Sequence, residues 1–264
     1  MTGGGGYLGS EVCARAAERD WDVFATRYST PPPVGRPVAL DLRDAIAVES
    51  AFLRLGPEGV IHTAYRQSDD ALEDDVVRAT VNVAGAAARF GVRLVHLSTD
   101  LVFDGEIAGR YTEADEPRPV SAYGAAKLAA ERAVAGLAPD AVVVRTSLLY
   151  GKPEPGPQER LAARTDIVFY TDEIRCPTRV GELADALLEL AERRDVSGPL
   201  HVAGPDAVSR YELALLLAPD PRAVRGGPSP TAAGRARNVA LDCSRAADLL
   251  QTRLRGVKEV LRSL

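Results

Sequence analysis

The first two-thirds of this 264-residue chain alternates short apolar runs with longer amphipathic stretches. Val60–Ala64, Leu94–Ser98 and Ala141–Thr146 have the length and β-branched content of buried strands. Asp74–Phe90 carries alanines and other apolar residues at helical spacing. Strands that alternate with helices form a parallel sheet covered by helices. The pattern therefore predicts an α/β fold with a doubly wound parallel sheet.

The chain changes character after Gly151, where Lys152–Gln158 contains three prolines. We expect a dinucleotide-binding domain over residues 1–150 and a small, mixed substrate-binding cap over 151–264, interleaved with the last strands of the sheet. The other predicted strands are Asp22–Thr26, Val38–Asp41, Val168–Tyr170 and Leu200–Ala203. The other predicted helices are Ser10–Arg19, one ending at Arg54, Tyr123–Gly136, Gly181–Arg193, Ser209–Leu217 and Ser244–Leu264. The Pro/Gly/Arg-rich segment Pro219–Gly234 is expected to be mobile.

A glycine-rich loop opens directly into the first predicted helix. Glycines at positions 3, 6 and 9 give a variant of the Rossmann dinucleotide-binding fingerprint. Gly3 would allow the turn, Gly6 would let the backbone approach a pyrophosphate, and Gly9 would let the helix pack closely on a strand. The N–H groups at the helix N-terminus favour phosphate, so Tyr7 and Leu8 join the candidate cofactor loop. Four consecutive glycines are also compatible with a flexible tail, but the immediate start of a helix favours the loop.

The strand that normally precedes such a loop is missing or truncated. Only Met1 and Thr2 stand before Gly3, although this strand would be the central one of the sheet. Either the start has been assigned too far downstream or the fold tolerates the loss. We favour the first explanation, since the loss would leave two strands with unpaired edges.

The ends of the next strands supply further candidate cofactor residues. An acidic residue normally binds the adenosine ribose at the end of the second strand, but this chain has Arg27, which could pair with a 2′-phosphate. NADPH is therefore favoured over NADH, with an ordinary surface arginine as the alternative. By position, Asp41 and Leu42 could flank the adenine, and Thr63 and Ala64 would lie beside the phosphates and ribose.

Tyr123 and Lys127 carry the candidate chemistry. Their spacing of four residues places them on one face of a helix. A free tyrosine is a poor acid or base at neutral pH, and a nearby cation favours its phenolate and brings its pKa toward the working range. Thr99 follows the apolar run that ends at Leu97, where a strand would deliver its hydroxyl to the same cleft. A lone Tyr-x-x-x-Lys is common by chance, so the pattern gains weight from Thr99 and the glycine loop.

Bulk composition excludes several classes of protein. The formal net charge of −5 argues against nucleic acid or an anionic membrane as the main partner. The three cysteines and three histidines are scattered without ligand spacing, so reduced thiols and no metal site are expected, with His96 as a core residue. Neither a signal peptide nor a membrane span is visible, and we expect a cytoplasmic enzyme.

With these motifs placed, the chain resembles the extended short-chain dehydrogenase/reductase superfamily, and within it the dTDP-4-dehydrorhamnose reductase-like family. The matching motifs are Gly3–Gly9, Ser98–Gly105, Tyr123–Lys127, Arg145–Gly151, Cys176–Thr178, Glu182–Asp185 and His201–Gly204. The resemblance implies that Thr99, Tyr123 and Lys127 are the catalytic residues and that Lys127 also holds the nicotinamide ribose. It further implies NADPH-dependent reduction of a keto group on a nucleotide-diphosphate sugar. Leu101 and Leu148 replace aromatic residues frequent in the family at positions that look toward the substrate, so the preferred sugar does not carry over.

Two alternative functions stay open at the level of sequence. The protein could reduce another ketone or an imine in secondary metabolism. It could also be a non-catalytic, NADP-binding regulatory subunit similar to the beta subunit of methionine adenosyltransferase. For a nucleotide-sugar substrate, cap arginines such as Arg160, Arg164 or Arg235 could contact the diphosphate. Related folds often form dimers, so a homodimer is also open.

Overall fold

The computed structural model describes residues 1–27, 30–65, 72–230 and 234–262, with only the backbone of 73 and 74. The chain divides into two compact units, each assembled from several segments. The first unit comprises Met1–Ser98, Ala125–Val144 and Ala184–Leu200, and the second comprises Thr99–Gly124, Arg145–Leu183 and His201–Leu264. The expected division of roles at residue 150, cofactor before it and substrate after it, stays a prediction.

The regular elements follow one another in an alternating order through the first half of the chain. The α-helices are α1 (Tyr7–Glu18), α2 (Ala45–Leu55), α3 (Ala79–Phe90), α4 (Ala122–Leu137), α5 (Pro157–Ala162), α6 (Val180–Glu192), α7 (Arg210–Leu217), α8 (Ser244–Leu249) and α9 (Val257–Arg262). The longer strands are β1 (Phe24–Arg27), β2 (Arg36–Ala39), β3 (Gly59–His62), β4 (Arg93–Thr99) and β5 (Val142–Thr146). The remaining strands are β6 (Leu149–Tyr150), β7 (Val168–Tyr170), β8 (Ile174–Arg175), β9 (Thr178–Arg179), β10 (Gly198–His201), β11 (Val208–Ser209) and β12 (Arg225–Gly227).

A parallel sheet with the strand order β10-β5-β4-β3 forms the centre of the first unit. All five residues of β5 are buried, and six of the seven residues of β4 are. Burial on both faces explains why these strands read as continuous apolar runs rather than alternating ones. Val48, Phe52, Val83 and Leu94 belong to one core cluster that joins α2 and α3 to the sheet. The predicted α/β fold with a parallel sheet flanked by helices is confirmed.

The structure has an isolated bridge at Thr2 where the sequence pattern places the first strand. Met1 and Thr2 take its place between β1 and β3. The Thr2 amide donates to the carbonyl of Ile61 (3.0 Å), and the Thr26 amide donates to the carbonyl of Met1 (2.9 Å). Thr2 pairs in parallel with His62. Two residues therefore connect the pair β1–β2 to the end of the central sheet.

Local capping explains where several of these helices begin and end. The Asp44 side chain accepts a hydrogen bond from the Ala47 amide at the start of α2 (3.0 Å), which satisfies one of the orphan N–H groups of the first turn. Gly56 ends α2 and Gly91 ends α3, both in the left-handed region (φ 54° and 65°) that glycine adopts without strain. At α7, Ser209 and Glu212 form a reciprocal capping box.

Short strand pairs and two apolar clusters build the second unit. β6 pairs with β9 and β7 with β12, both in parallel, whereas β8 and β11 are antiparallel. The buried Arg175 side chain in β8 donates to the carbonyls of Ile174 (2.8 Å), Ala236 (2.9 Å) and Arg237 (2.8 Å). This guanidinium therefore anchors the Ala236–Arg237 segment, which makes no regular strand of its own.

The structure corrects three expectations about individual elements. The first helix begins at Tyr7 rather than Ser10, because Gly6 serves as its N-cap. The segment Pro219–Gly234, expected to be mobile, contains β12, which pairs with β7, although residues 231–233 lie outside the described part. The predicted last helix is two short helices, α8 and α9. Between them the Arg255 amide donates to Glu182 Oε2 (2.8 Å), which holds the connecting segment out of a helical path.

Gly124 and Gly85 offer a matched pair of glycine substitutions in helices. A Cβ on Gly124 would lie 2.1 Å from the carbonyl oxygen of Leu101, whereas a Cβ on Gly85 would meet nothing within 4 Å. Gly85→Ala should raise the free energy of unfolding by up to about 1 kcal/mol, because it lowers the entropy of the unfolded chain. Gly124→Ala should lower it by about 1–3 kcal/mol through overpacking. Urea unfolding of both variants measures the difference, and equal effects would contradict the close packing at Gly124.

Candidate active site

The glycine loop of the first unit is closely packed at Gly3, Gly4, Gly5 and Gly9, whereas Gly6 is exposed. Gly3 has a φ of +72°, and a Cβ there would lie 2.9 Å from the Cα of Ala64. A Cβ on Gly9 would lie 2.1 Å from the carbonyl oxygen of Gly3, so α1 can approach the loop only with glycine at this position. Cβ atoms on Gly4 and Gly5 would meet Ala25 Cβ at 2.7 Å and the Thr30 carbonyl at 2.5 Å. The run of glycines is therefore a packed turn rather than a loose tail.

The loop is tied to the ends of two neighbouring strands. The Gly3 amide donates to Thr26 Oγ1 (3.3 Å) at the end of β1. Beyond β3, Thr63 Oγ1 donates to the carbonyl of Thr2 (3.0 Å), and the Ala64 amide donates to Thr2 Oγ1 (3.4 Å). The structure thus places Thr63 and Ala64 beside the loop, and their contact with the cofactor stays a prediction.

The first turn of α1 contains Tyr7, Leu8 and Gly9, and its N-cap Gly6 provides no side-chain acceptor. The Leu8 side chain is buried, so only its backbone N–H is available to a ligand at the helix end. First-turn N–H groups and the positive end of the helix dipole favour an anion. An uncapped helix start behind a turn that tolerates no Cβ fits the pyrophosphate of a dinucleotide.

The three predicted adenosine contacts lie at the ends of β1 and β2. Arg27 is exposed, and its side chain makes no hydrogen bond or ion pair within the described ranges. Arg43, which the sequence reading missed, donates from its amide (3.0 Å), Nε (2.9 Å) and Nη2 (2.7 Å) to the carboxylate of Asp41. Leu42 is partly buried against the core cluster, and its carbonyl accepts from Asn82 (2.9 Å). Of the three, Arg27 presents the most accessible side chain.

A directional chain of hydrogen bonds through His62 supports the loop from within the first unit. Thr80 Oγ1 donates its one proton to the carbonyl of Val76 (2.6 Å), so its contact with His62 Nε2 (3.1 Å) is donated by the imidazole. His62 Nδ1 is then an acceptor, and Thr2 Oγ1 donates to it (2.7 Å). Burial and the nearby Lys127 lower the pKa of His62 to about 3, in agreement with a neutral ring. No spacing in the sequence points to this network.

Lys127 is a buried cation in the first unit. Its side chain lies on α4, one turn after Tyr123, and its Nζ donates to the carbonyl of Leu97 in β4 (2.6 Å). Burial lowers the pKa of Lys127 to about 8, although the carboxylate of Glu131 opposes this shift. Tyr123 and Lys127 occupy i and i+4 positions and therefore lie on the same face of α4. The predicted spacing of phenol and cation is therefore present.

Thr99 belongs to a hydrogen-bonded network in the second unit. Its Oγ1 accepts from the Leu101 amide (3.2 Å) and donates to Asp100 Oδ1 (3.2 Å). Ser147 Oγ donates to Asp100 Oδ2 (2.6 Å) and accepts from the Cys176 amide (3.2 Å). Burial raises the pKa of Asp100, and its neighbours, led by Arg175, oppose the rise. The sequence predicted Thr99 but missed Asp100 and Ser147 as the groups that orient it.

Leu101 and Leu148, which replace aromatic residues frequent in the resembling family, have different surroundings in the second unit. Leu148 packs against the buried cluster of Tyr150 and Val208, so its side chain serves the core. Leu101 offers its carbonyl to the close approach of Gly124 at the start of α4. The expectation that both positions face a substrate stays a prediction.

The cap arginines differ in how their charge is used. Arg164 is paired with Asp166 on the surface (2.5 Å), and Arg160 Nη1 donates to the carbonyl of Pro155 (2.5 Å). Arg235 pairs with the buried Glu173 (2.6 Å) and lies over the Tyr170 ring.

Arg210, which the sequence did not indicate, follows β11. Its amide donates to the carbonyl of Glu173 (2.9 Å), but its guanidinium makes no hydrogen bond to any described residue. Burial and the nearby Arg175 lower the pKa of Arg210.

The described part of the chain shows neither a membrane-spanning helix nor a cluster of metal ligands. No helix there is both long and apolar enough to cross a membrane. Over the same ranges, no three His, Cys, Asp or Glu side chains are grouped so that they could hold a metal ion.

Comparison with known proteins decides the family. The family model described as "RmlD substrate binding domain" matches residues 1–264. The chain belongs to the dTDP-4-dehydrorhamnose reductase-like family. Family membership makes it an NAD(P)-dependent oxidoreductase of the short-chain dehydrogenase/reductase type.

Relatives from several branches are similar to most of the chain. A dTDP-4-dehydrorhamnose reductase of Mycobacterium tuberculosis is 37% identical over 85% of this chain and 77% of its own length. The methionine adenosyltransferase 2 subunit beta of Xenopus tropicalis is 32% identical over 83% of this chain and 70% of its own length. The crystal structure of a dTDP-4-dehydrorhamnose reductase from Bacillus anthracis in complex with NADP superposes with a TM-score of 0.83 at 26% identity, covering 99% of this chain and 96% of that one.

Proposed function

We propose that the protein is an NADPH-dependent reductase of a keto group on a nucleotide-diphosphate sugar. The observation that carries the proposal is the position of Tyr123 on α4, four residues before the buried Lys127. A phenol next to an ammonium that is removed from water is the arrangement required to donate a proton near neutral pH.

The cofactor part of the proposal rests on the glycine loop. NADPH, when bound, supplies the hydride. Gly3, Gly6 and Gly9 would cradle its pyrophosphate against the start of α1, and the exposed Arg27 would pair with the 2′-phosphate. The relative from Bacillus anthracis, whose crystal structure is a complex with NADP, supports the same cofactor here. Lys127 would also hold the nicotinamide ribose hydroxyls.

The reaction assigns one task to each catalytic residue. Tyr123 donates its phenolic proton to the carbonyl oxygen of the substrate, and the Lys127 ammonium stabilises the phenolate that is left. Thr99 donates a hydrogen bond to the same oxygen. To do so, its hydroxyl proton turns away from Asp100. The Leu101 amide still donates to Thr99 Oγ1 and holds the hydroxyl oxygen in place when its proton turns.

The nucleotide-sugar part of the proposal rests on Arg210. A partly buried guanidinium that makes no hydrogen bond within the described residues is suited to receive an anion from outside. The Arg210 amide and the Arg235 guanidinium both contact Glu173, so the two arginines lie near each other. A diphosphate would give Arg210 the acceptors that the protein does not supply. We therefore assign the diphosphate of the substrate to Arg210 and Arg235, rather than to Arg164.

Because the chain is also similar to methionine adenosyltransferase 2 subunit beta, a regulatory function is the alternative to this proposal. Its identity to this chain, 32%, is lower than the 37% of the mycobacterial reductase. Thr99, Tyr123 and Lys127 are all present, and they support a protein that turns over substrate.

Tyr123→Phe tests the catalytic part of the proposal. The substitution removes only the hydroxyl, so we expect NADPH oxidation with a panel of nucleotide-diphosphate 4-ketosugars to fall at least 100-fold, within the usual range for losing a general acid. NADPH binding, measured by fluorescence, should persist. Tyr150→Phe is the matched control, because the buried Tyr150 hydroxyl has no partner within the described residues and its loss should be harmless. Turnover by the Tyr123 variant at the wild-type rate would refute the mechanism.

Arg210→Gln tests the substrate class without turnover. dTDP alone serves as the probe in calorimetry, and loss of charge-assisted hydrogen bonds should weaken its binding by about tenfold or more. Arg164→Gln should bind dTDP as the wild type does, since its exposed ion pair with Asp166 contributes little. Equal dTDP affinity in the Arg210 variant would remove Arg210 from the site. Absence of dTDP binding by the wild type would count against the substrate class.

A further inference from the structure

Glu131 is a buried acid one turn after Lys127 on α4, and no role has been given to it so far. Lys127 and Glu131 are each 6% exposed. Lys127 Nζ donates to the carbonyl of Leu97 (2.6 Å), and Ser98 Oγ donates to Glu131 Oε1. Two successive turns of α4 are thus fastened to two successive residues of β4. Both anchors lie in the first unit.

The charged and titratable groups around Lys127 come from three elements. Tyr123 and Glu131 share its helix, His62 faces it from β3 and His96 from β4. Burial and Lys127 lower the pKa of His62 to about 3 and that of His96 well below its usual range, so both rings are neutral. Of these neighbours in the described chain, Glu131 is therefore the one that supplies a negative charge near neutral pH.

We propose that Glu131, held in place by Ser98, is a positioning residue that keeps the Lys127 ammonium charged next to the catalytic tyrosine. The proposal rests on the proposed function, because it assigns the charge of Lys127 to catalysis. Glu131 touches neither substrate nor cofactor in this account. It acts through Lys127 alone, and Ser98 prevents its carboxylate from turning away.

The consequence is a dependence on pH with a defined direction. Burial lowers the pKa of Lys127 to about 8, and the Glu131 carboxylate acts against that lowering. Without the carboxylate the lysine should lose its proton at a still lower pH. The protonated lysine is the active form, so activity falls as pH rises through this value. Loss of Glu131 should therefore move the alkaline limb of the kcat profile to lower pH.

The test uses the fact that the chain contains only three lysines, Lys127, Lys152 and Lys258. Protein labelled with ¹³C-lysine gives a spectrum simple enough to follow each Cε through a pH titration. Lys152→Arg and Lys258→Arg variants assign the signals. In Glu131→Gln, the midpoint of Lys127 should fall by about one pH unit or more relative to the wild type. Lys152 and Lys258 act as internal references.

Further variants separate this role from a structural one. Glu131→Asp keeps the carboxylate and should hold the Lys127 midpoint near that of the wild type. Glu18→Gln removes an exposed carboxylate from α1 and should leave the midpoint unchanged. If Glu131→Gln does not fold, Ser98→Ala releases the carboxylate and should also lower the midpoint. An unchanged Lys127 midpoint in a folded Glu131→Gln or Ser98→Ala protein would overturn the proposal.

A kinetic readout links the titration to catalysis. With a substrate found in the 4-ketosugar panel, the alkaline limb of the kcat–pH profile should move to lower pH in Glu131→Gln. The shift should equal, in pH units, the shift of the Lys127 midpoint measured by NMR. A lowered midpoint with an unmoved kcat limb would refute the catalytic part of the proposal. The NMR titration needs no turnover, so failure of the proposed function and failure of this proposal give different results.

Discussion

The hydrogen bond from the buried ammonium of Lys127 to the carbonyl of Leu97 is the contact on which the candidate chemistry depends. It fastens α4 to β4 and takes a charge out of water one helical turn after Tyr123. The cost of this burial is visible in the lowered pKa of Lys127. A lysine that must stay charged in such a place needs compensation, and the Ser98–Glu131 pair supplies it from the same strand and the same helix.

Close backbone packing fixes the shape of the candidate cofactor loop. The turn at Gly3 and the approach of Gly9 leave no room for side chains, so α1 begins directly against the loop. Thr2 joins this loop to β3 through the neutral imidazole of His62. Met1 and Thr2 are thus held by side-chain hydrogen bonds as well as by their backbone. These contacts explain how the loop keeps its shape.

The sequence predicted those features that depend on local pattern. β4 and β5 were predicted from their apolar runs and α4 from its helical spacing, because burial on a parallel sheet leaves such a signature. The break between α8 and α9 was missed, since it depends on a contact between Arg255 and Glu182, far apart in the chain. Individual predicted site roles have geometric support at the glycine loop and at Tyr123–Lys127, and they stay predictions until tested.

Three residues that no sequence motif assigned to these networks share one property. Asp100 accepts a hydrogen bond from Ser147, and Glu131 accepts one from Ser98. His62 is hydrogen-bonded to Thr2 and Thr80. All of these are side-chain contacts between separate elements. Such pairs have no fixed spacing, so neither periodicity nor motif indicates them. They are found only when the strands and helices have been assembled.

Transfer of isotope from cofactor to substrate tests the account most directly. NADPH deuterated at the transferable C4 position of the nicotinamide should be incubated with the protein and with nucleotide-diphosphate 4-ketosugars, dTDP-linked ones first. The account predicts a product that is heavier by one deuterium, located at the reduced sugar carbon. Tight NADPH binding without deuterium in any sugar of the panel would contradict it.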